Sequence, residues 1–163
     1  LRRFARSCPW TLCIDQDFAA VIDACAAPRH YADGTWITTA MRAAYLNLHH
    51  LGHAHCMAVI EDDELVGGLY GLAIGRVFFG ESMFSRRTNA SKLAFYALAA
   101  VLRDAGFIWL DGQVESRHLA RLGAQSIDRD HFVAGLERLC RQSPENPRWA
   151  ADFGRQTAAE LAF

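Results

Sequence analysis

The stretch ELVGGLYGLAIGRVFFGESMFSRRTNASK, Glu64 to Lys92, carries the change of hydrophobic period that decides the fold. Its first part, Leu65 to Ile74, reads as an apolar strand, and the glycines inside it predict a bulge or a close approach of backbone. Gly75-Arg76 turns the chain into another strand, from Val77 to Gly80 or a little beyond. Then the period lengthens. Asn89 or Ser91 can cap a helix. Ala90, Leu93, Ala94, Ala97, Leu98, Val101 and Leu102 form its apolar stripe to about Asp104, where Gly106 closes it. Upstream, AHCMAVIE (Ala54 to Glu61) is short and β-compatible, and the charged turn EDDE joins it to the stretch. Three strands joined by tight turns and followed by a helix predict a β-meander with a crossover.

Farther out the signals are simpler. Arg2, Arg3 and Arg6 precede a short strand, Trp10 to Ile14. Asp15 or Asp17 can cap a helix to about Ala27, with Phe18, Val21, Ile22 and Cys25 on one face. Pro28 to Thr35 reads as a loop. Thr38 or Thr39 can cap a second helix bearing Met41, Ala44, Tyr45, Leu48 and Leu51, ended by Gly52. On the other side, Phe107 to Val114 (FIWLDGQV) is a fourth strand. Ser116 starts a short helix ending at Gly123, and Ala124 to Ile127 is read as one more strand. Asp128 caps a last helix reaching about Arg141. The tail from Gln142, with Pro144 and Pro147, reads as irregular at first. The order β-β-β-α-β-α is α+β: a mixed, mainly antiparallel sheet flanked by helices, the order of GCN5-related N-acetyltransferase-like domains. The expectation is a single domain over residues 1–163, with 1–14 a basic leading segment and 142–163 a tail.

Bulk properties narrow the class. At 163 residues, 52% hydrophobic and 21% charged, the chain can bury a core without staples. A net charge of −1 gives no global attraction for nucleic acid. The 5 cysteines are irregularly spaced with no CxxC, as in a protein of a reducing cytoplasm. No apolar run approaches the about 20 residues of a membrane span.

Three stretches go beyond fold class: GTWIT (Gly34 to Thr38), the opening Glu64–Lys92 string, and LDGQV followed by HLARLGA (Leu110 to Ala124). With GHAH, they make the chain resemble the bacterial leucyl/phenylalanyl-tRNA–protein transferases from about Phe18 to about Leu136. GGLYG and FFGESMFS are long, unusual strings. The resemblance implies transfer of Leu, Phe or Met from aminoacyl-tRNA to the N-terminal Arg or Lys of a protein, marking it for degradation. It also implies an acetyltransferase-like C-terminal domain. Family members carry a smaller N-terminal domain as well, which the expectation leaves outside this chain.

Such a reaction is aminolysis of an already activated ester. It asks for positioning, help with a proton and stabilisation of an oxyanion. It needs no metal, covalent nucleophile or cofactor. Asp111 and Gln113 are two apart on a predicted strand and therefore share a face. By resemblance they match the family's DxQ positions, proposed to be catalytic; the plain alternative is an Asp-Gly turn with Gln113 merely exposed. Glu81 interrupts an apolar string, and burying a carboxylate there requires a partner. It can accept from the α-amine of the aminoacyl group or from the acceptor's N-terminus, or serve as a structural ion-pair member. Glu115 is a further candidate for the acceptor's cationic side chain. By resemblance, Trp36, Tyr45, Leu69, Phe78, Met83, Phe95 and Leu98 line an apolar aminoacyl pocket, although aromatics at such spacing equally serve as core. Where this chain has Leu69 and Leu98, the family commonly has Met and Phe.

SRRTNASK, Ser85 to Lys92, leads into the long helix. CoA-dependent relatives of the fold carry a Q/R-x-x-G-x-G/A pyrophosphate loop here. The matching positions are Arg86, Asn89 and Ser91, without either glycine, which disfavours CoA. Arg86, Arg87 and Lys92 at a helix N-terminus still suit a tRNA phosphate, and Arg2, Arg3 and Arg6 are candidates for a second backbone contact. The alternatives are an acyl-CoA-dependent N-acyltransferase, or a non-catalytic protein that binds aminoacyl-tRNA or protein N-termini. Finally, HHLGHAHC (His49 to Cys56) is rich in metal-ligand types but straddles a helix-to-strand junction. Its histidines are expected to point apart rather than to converge on a metal.

Overall fold

The computed structural model describes residues 2–28 and 35–161. In order along the chain lie α1 (Arg2–Ser7), β1 (Thr11–Ile14), α2 (Phe18–Ala26), α3 (Thr39–His50), β2 (Ala54–Glu61), β3 (Glu64–Ile74), β4 (Val77–Ser85), α4 (Ala90–Asp104), β5 (Trp109–Asp111), α5 (Arg117–Arg121), α6 (Arg129–Leu139), α7 (Trp149–Phe153) and β6 (Arg155–Thr157). The strands form one sheet in the order β5-β4-β3-β2-β1-β6. All neighbours are antiparallel except β4 and β5, which run parallel because α4 carries the chain across. This is the expected α+β class with its meander and crossover.

Alternation along the central strands feeds two cores. Met57 and Val59 of β2 face α4, whose Leu93, Ala94, Ala97, Leu98 and Leu102 are buried along the stripe expected from sequence. Cys56 and Ala58 face the other way, onto Phe18, Val21, Ile22 and Cys25 of α2. A fully buried leucine such as Leu93 contributes about 1.5–3 kcal/mol. The glycines of β3 permit the close packing that the strand requires. A Cβ on Gly67 would lie 2.4 Å from Ala90 Cβ, so α4 begins directly against the strand's backbone. A Cβ on Gly71 would lie 2.1 Å from the Phe79 carbonyl oxygen.

Several boundaries differ from the sequence reading, each for a local reason. The leading segment includes a helix, α1, pinned by the buried Ala5 and by Phe4 meeting Trp10 at 5.3 Å. The apolar positions of α3 are not a core stripe: only Tyr45 is buried, while Met41 and Leu51 are exposed. β5 spans three residues instead of eight, and residues 124–127 form no strand. The sixth strand comes from the tail, where β6 pairs with β1 and Trp149 and Phe153 of α7 enter the core. β4 is longer than expected and reaches Ser85. The loop expected at Pro28 to Thr35 falls mainly outside the described residues.

Candidate active site

Two irregularities in neighbouring strands create the site. Tyr70 of β3 pairs with Ser82 and Gly71 with Gly80, so Glu81 is the extra residue of a β-bulge on β4. A bulge re-aims a side chain and kinks its strand. On the other side of β4, pairing with β5 ends at Phe79 opposite Asp111. Beyond that point the strands part. Gly112 and Gln113 turn the chain away, with Gln113 at φ 62°. Gln113 therefore lies past the strand end, so it does not share a strand face with Asp111 as its spacing predicts. The two meet differently: the Gln113 amide N–H donates to Asp111 Oδ1 at 2.8 Å. Gln113 Nε2 donates to the Gly80 carbonyl at 3.2 Å, bridging the gap between β4 and the end of β5.

A cavity of about 430 Å³ opens at this gap. Its apolar wall includes Trp36, Leu69, Phe78, Met83, Phe95 and Leu98, six of the seven side chains expected in a pocket. Phe78 and Leu98 are also deep core, whereas Trp36 stands 49% exposed at the rim. Both carboxylates, Glu81 and Asp111, border the cavity, and Gln113 does not. Tyr45, the seventh expected residue, stands behind the wall, its ring edge-on to Trp36 at 6.3 Å and to Tyr70 at 5.1 Å. Burial, followed by the influence of the Glu81 carboxylate, pushes the Tyr45 phenol well above its ordinary pKa. Among the described lining residues there is no arginine or lysine, so the cavity favours cations. Sequence reasoning missed Tyr70, Ser82, Leu110, His118 and Leu119, which also line it. His118 and Leu119 fall within the quoted HLARLGA string, but nothing in that string shows that α5 folds back over the strand end.

The basic residues lie elsewhere. The Arg86 guanidinium sits 5.6 Å from the centre of the Phe84 ring and donates to the Leu65 carbonyl at 3.0 Å. Arg87 Nε is 3.1 Å from Glu61 Oε2, and Lys92 Nζ donates to Asn89 Oδ1 at 3.2 Å. Glu61 also accepts from the Trp10 indole at 2.7 Å. Trp10 in turn meets Phe4 of α1, so the helix carrying Arg2, Arg3 and Arg6 is linked to the Ser85–Lys92 loop. Within that loop Asn89 adopts φ 74°, the left-handed conformation glycine would take most easily. The Ser91 amide is met by Ser85 Oγ at 3.2 Å, so the chain itself occupies part of the helix end that a pyrophosphate would need.

The histidine string folds as a clasp. His49 Nδ1 lies 2.8 Å from the Ala54 carbonyl, and its ring stacks on Phe18 at 4.4 Å. His55 Nδ1 lies 2.7 Å from Asp15 Oδ2, whose other oxygen accepts from the Cys56 amide at 2.9 Å. Among the described residues no three His, Cys, Asp or Glu side chains are grouped as a metal site requires. Glu115 accepts from Ser126 Oγ at 3.2 Å, away from the lining of the cavity.

Residues 1–137 match the family model described as leucyl/phenylalanyl-tRNA protein transferase. A protein of that name from Pseudomonas entomophila (strain L48) is 54% identical over 91% of this chain and 66% of its own length. Its namesake from Pseudomonas aeruginosa (strain PAO1) is 58% identical over 80% of this chain and 58% of its own. The chain thus spans roughly three fifths to two thirds of the curated relatives it matches. Among solved structures, AAC(6')-Iy in complex with a CoA bisubstrate analogue matches with a TM-score of 0.49 and 13% identity, over 72% of this chain and 93% of that one. By the extent of the family match and the identity to these relatives, the chain belongs to the leucyl/phenylalanyl-tRNA–protein transferase family.

Proposed function

We propose that this chain carries the catalytic site of an aminoacyltransferase that moves Leu, Phe or Met from aminoacyl-tRNA to the N-terminal Arg or Lys of a protein. This addition marks the acceptor for degradation, in the cytoplasm. One observation carries the reading: an apolar cavity in the size range of small-molecule sites, about 300–1,000 Å³, ends in two carboxylates and has no arginine or lysine among its described lining. The apolar wall suits a Leu or Phe side chain. Met83 adapts to several shapes. Glu81, aimed into the cavity by its bulge, suits the aminoacyl group's α-ammonium. Asp111 suits the cationic amine of the incoming N-terminus. Asp111 takes one proton from the ammonium and frees its lone pair; as the neutral amine attacks the ester carbonyl, a C–N bond forms and the C–O bond to the ribose breaks. The second proton lost by the nitrogen goes to the departing ribose oxygen, which leaves as a hydroxyl. Gln113 fixes the end of the Asp111 strand and so the direction of approach. Arg86, Arg87 and Lys92, with Arg2, Arg3 and Arg6, meet tRNA phosphates.

The acidic lining speaks against an acyl-CoA, whose pyrophosphate would want the opposite charge. The test is transfer of labelled Leu or Phe from charged tRNA to a peptide beginning with Arg, using this chain and a form extended upstream. Transfer by either supports the reading; none by both overturns it.

A further inference from the structure

Tyr70 borders the cavity, yet the chemistry described so far makes no use of it. The side chain is fully buried, at 0% exposure, and its hydroxyl has no hydrogen-bond partner among the described residues. Such a group normally costs stability unless something satisfies it. The ring is held tightly, edge-on to Phe18 at 5.7 Å and to Tyr45 at 5.1 Å, so the hydroxyl cannot swing away to find water. Its polar surroundings are Tyr45, Cys25 and Glu81, and burial holds the phenol neutral. Tyr45, whose ring meets Tyr70 edge-on at 5.1 Å, is a second phenol in the same cluster. The bulge makes the arrangement: it sets Glu81 one position out of register beside Tyr70, where both border the cavity.

We infer that the Tyr70 hydroxyl and the Glu81 carboxylate together form a two-point site for a primary ammonium group, and that the occupant of the cavity supplies the partner Tyr70 lacks. Resting on the aminoacyltransferase reading, this names the selected group: the free α-amine of the aminoacyl moiety. A primary ammonium has three N–H donors, enough for one carboxylate oxygen, one phenol oxygen and one further acceptor. An aminoacyl ester whose α-nitrogen is absent or acylated offers no such cation. The pair therefore makes the cavity discriminate by the amine as well as by the side chain.

The experiment uses two probes of equal shape on this chain, phenylalanine methyl ester and 3-phenylpropionic acid methyl ester, with binding followed by calorimetry or by NMR titration. The expected result is tighter binding of the amine-bearing ester. Tyr70→Phe should weaken that ester about tenfold, as loss of a hydrogen bond to a charged group does, and leave the desamino ester unchanged. Because Tyr70→Phe removes an orphaned hydroxyl and keeps the ring, its melting temperature should equal or exceed the parent's, which separates binding from folding. If both esters bind the parent equally, or Tyr70→Phe weakens both alike or neither, the two-point site is wrong and the aminoacyl cavity stands. Should the parent bind neither ester, the cavity reading falls and the inference with it.

Discussion

Asp111 does two jobs, and substitutions can separate them. One carboxylate oxygen accepts from the Gln113 amide and shapes the turn at the end of β5; the charge faces the cavity. Asp111→Asn keeps an oxygen for the turn and removes the charge. Transfer should then fall by about 100-fold or more, in the range of general acid–base contributions, while the melting temperature changes little. Full activity in Asp111→Asn would show that the charge plays no part. Leu98 poses the complementary question of volume. It is 1% exposed and lines the cavity. Leu98→Phe should shrink the space and shift preference from Phe toward Leu by about tenfold, the usual scale for small changes in pocket volume. Competition between the two charged tRNAs would measure it, and an unchanged ratio would place the bound side chain elsewhere in the cavity.

At the level of elements, the bulge depends on a glycine. Gly71 lies opposite Gly80 where the register slips, and a methyl group there would sit 2.1 Å from a backbone carbonyl. Gly71→Ala should cost about 1–3 kcal/mol, the range for overpacking, read as a lower midpoint in denaturant unfolding. Because it disturbs the strand that aims Glu81, ester binding should fall with it. The glycines of β3 announced such crowding in the sequence, and the stripe of α4 was legible because many residues share one period. Glu81's role as the extra residue was not legible, since a bulge is a relation between two strands and only one appears in any string. The shortness of β5 was hidden for a similar reason: FIWLDGQV has strand composition throughout, but only Trp109 to Asp111 find a partner. The pocket residues were found through family likeness and not through period, because Trp36, Leu69, Met83 and Leu98 come from separate elements. The basic loop is also an element-scale question. Arg86→Ala/Arg87→Ala should weaken tRNA binding and flatten its dependence on salt, by about 0.7–0.9 in logarithmic slope for each phosphate left without its arginine. A variant with the parent's affinity and slope would remove these arginines from the tRNA interface.

Across the whole molecule, small polar links hold distant segments in place. The Trp10 indole, followed by the Arg87 guanidinium, holds the Glu61 carboxyl below the usual carboxylate range. A lowered folded pKa means that the stabilisation is complete above the unfolded value and fades as pH falls through the folded one. The link from α1 to the sheet should therefore hold at neutral pH and loosen only in acid. The Trp10 indole N–H resonance should move in that acid range and stay still in Glu61→Gln; equal titration in both would assign the effect to another group. The tail reaches just as far across the fold. β1 has β2 on one side and β6 on the other, so Leu12 stands between Val59 and Gln156. The family match ends at residue 137, before α7 and β6, yet Trp149, Phe153 and Ala158 are part of the core. For the ribosome this sets an order of events. The meander can close on α4 while the chain is still being made, but one edge of β1 stays open until residue 157 has left the exit tunnel. A nascent chain stalled earlier would offer that edge to any passing strand, so β6, made after α4, protects β1, made well before it.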